Sequence, residues 1–190
     1  MKRKIALTVA LAASLVTAAA QGAVLNATQT QTVDGQNFTF NFSGLAPSNG
    51  GTGTFILHAQ GDYEGAASEA LTWDIDSGIV SGGPVGGFFN PCAGGVGGPF
   101  DFCNVFQALG NVEWQRTYTL SAAELTAMLA DGAISIFVDL DANVGLFNPP
   151  NFVEVTIRYE EGQGVPEPAS MLLTGLGLVG LAMVRRRKIV

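Results

Sequence analysis

Positive charge is scarce in the body of this 190-residue chain. Seven of its nine lysines and arginines stand at the ends, as Lys2, Arg3, Lys4 and as Arg185, Arg186, Arg187, Lys188. Between Val24 and Gly164 only Arg116 and Arg158 remain, against 15 acidic side chains, a balance of about −13. Nucleic acids and anionic membrane surfaces are bound by Lys and Arg clusters that neutralise phosphates, so neither is an expected ligand of this segment. Histidine is reduced to His58, in a strand candidate, and neither a Gly-x-Ser-x-Gly elbow nor a His-Glu-x-x-His helix occurs. Hydrolase triads and zinc peptidases therefore lack their parts. Carboxylates for a glycosidase pair are plentiful, but plenty without spacing identifies no pair. The expectation is a protein that is not an enzyme. No internal repeat appears, which argues against a propeller or solenoid.

Long apolar runs occur only at the two ends. Lys2 to Lys4 precede an almost unbroken run from Ile5 to Val16, followed by Ala18-Ala19-Ala20. That order is a secretory signal peptide, residues 1–23, with cleavage by signal peptidase fitting best after Ala20 and Gly22 or Ala23 as alternatives. Its run of about 12 residues is short for a bilayer core of ~30 Å. At the other end Val165-Pro166-Glu167-Pro168 leads into an apolar stretch from Ala169 to Val184 and then the basic cluster. Sixteen helical residues rise about 24 Å, a short transmembrane span once the arginines snorkel. Positive charges stay cytoplasmic, which puts residues 24–164 on the far side of the membrane.

The triplet Pro166-Glu167-Pro168, the helix that follows and the cluster Arg185, Arg186, Arg187, Lys188 together resemble the PEP-CTERM sorting signal of Gram-negative bacteria. The resemblance covers about 26 of 190 residues. It implies recognition by an exosortase, a membrane-embedded cysteine transpeptidase, and removal of the helix during transfer to the cell surface or an extracellular polymer matrix. It also implies transient anchoring in the inner membrane and an association with exopolysaccharide and biofilm.

The middle of the chain alternates with period two, the mark of strands with one buried face. Phe38, Phe40 and Phe42 share a face within Gln36–Phe42, and Leu71, Trp73 and Ile75 share one within Ala70–Ile75. Further strands are expected over Thr54–Ala59, Val112–Leu120, Ala133–Leu140 and Phe152–Tyr159. Ser121-Ala122-Ala123-Glu124 has the form of a capping box opening a helix to about Ala130, which Gly132 stops. Gly78–Gly98 holds nine glycines in 21 residues and is expected to be a loop. Six to eight strands and one short helix predict a mainly β protein, an antiparallel β-sandwich or jelly roll over residues 24–160. A linker at 161–165 and the sorting signal at 166–190 follow.

Export permits oxidation, so Cys92 and Cys103, the only cysteines, are expected to form one disulfide. Asp62, Asp74, Asp76, Asp139 and Asp141 recur at strand ends, where loop oxygens that converged would suit Ca²⁺. The Asp139 segment is not an EF-hand, since Val144 stands at the glycine position and Pro150 at the glutamate position. Phe88 and Phe89, in the glycine-rich stretch, and Trp114 are candidate platforms for sugar rings, whereas Trp73 shares its face with Leu71 and Ile75 and belongs to the core. The leading reading is thus an acidic surface or matrix protein delivered by its tail. The alternative is a calcium-dependent carbohydrate-binding module.

Overall fold

The computed structural model describes residues 22–63, 69–86, 92, 100–106, 111–146 and 150–162. Most of the expected signal peptide, Phe88, Phe89 and the whole sorting tail lie outside these residues. Within them the chain forms β1 (Gly22–Thr30), β2 (Asn37–Ser43), β3 (Gly53–Gly61), β4 (Ala70–Ile75), β5 (Val80–Gly86), β6 (Phe102–Phe106), β7 (Asn111–Leu120), α1 (Ala122–Met128), β8 (Ala133–Leu140) and β9 (Phe152–Glu160). The strands build two sheets, β1-β9-β3-β7-β6 and β2-β8-β4-β5. Every pairing between neighbours is antiparallel.

Alternation decides which side chains meet between the sheets. Phe55 and Leu57 of β3 and Val153, Val155 and Ile157 of β9 point inward from one sheet, and Phe38, Phe40, Ile134, Ile136 and Val138 from the other, all buried. The layers touch through aromatic rings: Phe55 lies 4.7 Å from Trp73, and Trp73 meets Tyr118 edge-on at 4.7 Å. Trp73 is therefore core, as its face predicts. Between β7 and β8, α1 carries the chain from one sheet to the other. Ser121 Oγ accepts from the Glu124 N–H while a Glu124 carboxylate oxygen accepts from the Ser121 N–H, the reciprocal capping box. Those contacts with Ser121 hold the Glu124 carboxyl below its ordinary range. The helix buries Leu125 and Met128 and gives way at Leu129 to a turn in which Gly132 takes a φ of 73°.

Three strands exceed the sequence expectation. β1 turns Ala23, Leu25, Ala27 and Gln29 inward, a single large apolar residue among small and polar ones, and these are only half buried because the strand lies at an edge. β5 occupies the start of the stretch expected to be loop. Gly82 suits it because a Cβ there would sit 2.5 Å from Trp73 Cζ2, and Pro84 is accommodated because β5 is an edge. β6, the other edge of the larger sheet, holds Cys103 opposite Trp114 in the register.

The chain enters and leaves at the same end. Gly22 pairs with Glu160, so cleavage after Ala20 would leave β1 whole, whereas cleavage after Gly22 or Ala23 would remove its first pairs. There the Gly162 N–H donates to the Pro47 carbonyl (2.8 Å), and the Tyr159 hydroxyl donates to that of Ala46 (3.0 Å). The fold thus continues two residues into the expected linker. At the opposite end, buried Gln31 ties the loops together, its Nε2 donating to the Val144 carbonyl at 2.8 Å.

Candidate functional site

The outward residues of the larger sheet follow from register. One row across it reads Thr28, Glu154, His58, Gln115, Phe102, and the next Thr30, Phe152, Gln60, Glu113, Asn104. His58, on the central strand, lies between two carboxylates: Nε2 is 2.9 Å from Glu113 Oε1 and Nδ1 is 3.2 Å from Glu154 Oε2. Asn26 on β1 extends the chain of contacts, its Nδ2 donating to Glu154 Oε1 (2.6 Å) and to Thr156 Oγ1 (2.7 Å). Phe152 meets the imidazole edge-on at 5.0 Å. When protonated the ring donates to both glutamates; either neutral tautomer donates to one. These groups stand on paired strands, so their positions are fixed before any ligand arrives. On β6, Phe102 and Phe106 face outward, 45% and 38% exposed. Chemically the face offers carboxylate and amide hydrogen-bonding groups beside exposed rings.

Cys92 and Cys103 are joined, with Cα atoms 5.3 Å apart, as the exported setting predicts. Trp114 is a correction. It is fully buried, packed against Tyr63 at 5.7 Å and Phe100 at 5.4 Å, and presents no platform. Alternation turns it inward together with Val112, and the sequence had left its face open. Burial also pushes the Tyr63 hydroxyl pKa up.

The five aspartates do not converge. Because β4 and β8 run antiparallel, Asp76 lies beside Ser135 at the start of β8, whereas Asp139 and Asp141 stand at its far end. Four residues of strand, about 13 Å, separate Ser135 from Asp139, and Ca²⁺ ligands must all lie about 2.4 Å from one ion. Asp76 extends the sheet instead: its N–H donates to the Ser135 carbonyl (2.9 Å), and its Oδ1 accepts from the Ser135 N–H (2.7 Å). Burial raises its carboxyl pKa, with Asp131 and Asp74 adding to the rise and the Ser135 N–H opposing it. Asp141 Oδ1 is engaged by the backbone and side-chain nitrogens of Asn143. Asp139 and Asp141 border a depression of about 300 Å³ with Thr72 and Pro84, and Asp62 approaches Gly145. Among the described residues no group of three or more His, Cys, Asp or Glu side chains is placed to hold a metal ion.

Sequence reasoning passed over Phe102, Phe106, Phe152, Glu113 and Glu154 as site residues. The alternation of Phe102, Asn104 and Phe106 against Cys103 and Val105 was a usable signal for β6. The His58 contacts had none, since they join residues 55 and 96 positions apart.

The described residues define a class of protein: a two-sheet antiparallel β domain, closed by a disulfide, whose chain ends emerge together. Its sorting is written in the residues beyond. Positions 164–188 match the PEP-CTERM protein-sorting motif, beginning two residues past Gly162. The match contains Pro166, Glu167, Pro168 and the cluster Arg185, Arg186, Arg187 and Lys188, as expected, and marks an exported protein sorted by an exosortase through transient membrane anchoring. No curated protein and no solved structure matches the chain at a significant level.

Proposed function

We propose that this chain is a non-catalytic protein of the bacterial surface or extracellular matrix, associated with exopolysaccharide and built to be released from its anchor. The observation that carries the reading is the sorting motif attached directly to a β domain. In this reading signal peptidase cuts the leader within residues 1–23, after Ala20 so that β1 stays whole, the domain expected over 24–160 is exported, the rest of 161–165 links it to the tail, and 166–190 form the sorting signal. Pro166 and Pro168 remove backbone donors and keep the segment extended, open to a membrane enzyme. The apolar span and the four positive charges hold the chain in the bilayer until it is cut. From Gly162 to Pro166 is four residues, at most about 14 Å of extended chain, so the enzyme works close beneath the end of the sheet where β9 finishes.

Mass spectrometry of the mature protein from a host with its exosortase tests this. A new C-terminus close to Pro166-Glu167-Pro168 is the expected result. An intact end at Val190 would establish an ordinary permanent anchor. Replacing Arg185, Arg186, Arg187 and Lys188 with neutral residues should impair retention and processing, and Glu167→Gln should block processing more than insertion.

A further inference from the structure

We propose that the outer face of the larger sheet, from Phe102 and Phe106 on β6 to Phe152 on β9, is a binding surface for a linear polysaccharide of neutral sugars. That choice of ligand rests on the matrix reading above. The two β6 rings are four residues apart on one face of an edge strand, about 13 Å, with Asn104 between them, and hydrophobic rings this exposed have no role in the core. Phe152 lies three strands away, about 14 Å at the usual strand spacing. Between these apolar flanks runs a floor of Gln115, Glu113 and His58.

A sugar presents two chemistries, apolar C–H faces that stack on rings and hydroxyls that donate and accept. The face meets both. Each glutamate contacts His58 through one oxygen and keeps acceptor capacity for a hydroxyl. His58 and Asn26 hold the carboxylates in place, so ligand binding costs little ordering of these side chains.

Charge selects within the glycans. Glu113 and Glu154 stand at the centre with Arg158 toward one end, and the domain around them is strongly acidic. A polyuronate or sulfated chain would be repelled, whereas a neutral chain meets only hydrogen-bonding groups and rings. Among the described residues the opposite sheet has one exposed ring, Phe137 (41% exposed), which provides an internal control.

The test is an array of cellulose, curdlan, xylan, mannan, alginate and pectate probed with the full chain in mild detergent. Retention on at least one neutral polymer and none on alginate or pectate is expected. Joint replacement Phe102→Ala and Phe106→Ala should weaken binding about tenfold or more, the loss of part of two ring burials. Gln115→Ala, which leaves the rings alone, should weaken it to a smaller degree, and Phe137→Ala should leave it unchanged. Failure to bind any neutral polymer, preference for the polyuronates, or equal loss in Phe137→Ala would overturn the assignment. Sorting is read separately from the mature C-terminus, so correct processing without glycan binding rejects this surface while leaving the matrix reading intact.

Discussion

Breaking the Cys92–Cys103 bond should destabilise the exported domain and loosen one edge of the larger sheet. The half-cystines are 11 residues apart, and closing a loop of that size removes unfolded-chain entropy worth about 2.8 kcal/mol at 25 °C. The effect should concentrate on β6, an edge strand that pairs only with β7, over five residue pairs. Behind it lie Phe100 and the buried Trp114, so release of β6 also uncovers apolar surface. For a domain of this size such a loss corresponds to a fall in melting temperature of about 6–12 °C. The assay is thermal melting of the exported protein with and without reductant, alongside Cys92→Ser/Cys103→Ser, with hydrogen exchange followed peptide by peptide. Amides of β6 should lose protection first while those of β3 and β9 keep theirs. A melting shift below about 2 °C with unchanged β6 protection would refute the reasoning, since it would mean that strand pairing alone holds this edge.

Gly82→Ala should cost about 1–3 kcal/mol in urea unfolding, because the new methyl would press on the buried Trp73 ring, while Ser81→Ala beside it should be nearly neutral. Asp76→Asn should gain stability near neutral pH. The raised carboxyl pKa means that folded-state stability is full in acid and declines as pH rises from the ordinary carboxylate range through the raised value, so the gain should vanish below it. A wild-type protein that is the more stable of the two at pH 7 would contradict that sign. Ser121→Ala should lower stability by about 1 kcal/mol through loss of the cap on α1, seen as a shift in the denaturation midpoint without a change in slope.

Much of this molecule was legible in its sequence wherever the physics is local. A basic start, an apolar run and small residues lead to the expectation of a leader from residue order alone. The Pro-Glu-Pro triplet, apolar stretch and arginines spell a sorting tail because such a signal is carried by the order of residues along the chain. Period two located β2, β3, β4, β7, β8 and β9, since one face of each meets a dry core. The cap at Ser121 and the stop at Gly132 are settled within a few residues of themselves. Tertiary structure decided what depends on register and on position in a sheet. β1 and β5 were hidden because edge strands need less apolar surface and tolerate glycine and proline. The aspartates looked alike as strand-end residues, and only the antiparallel pairing of β4 with β8 placed them at opposite ends. Trp114 was indistinguishable from a surface ring until β7 had a neighbour on each side. His58 gained its two glutamates for the same reason: residues far apart in the chain become partners only once three strands are aligned.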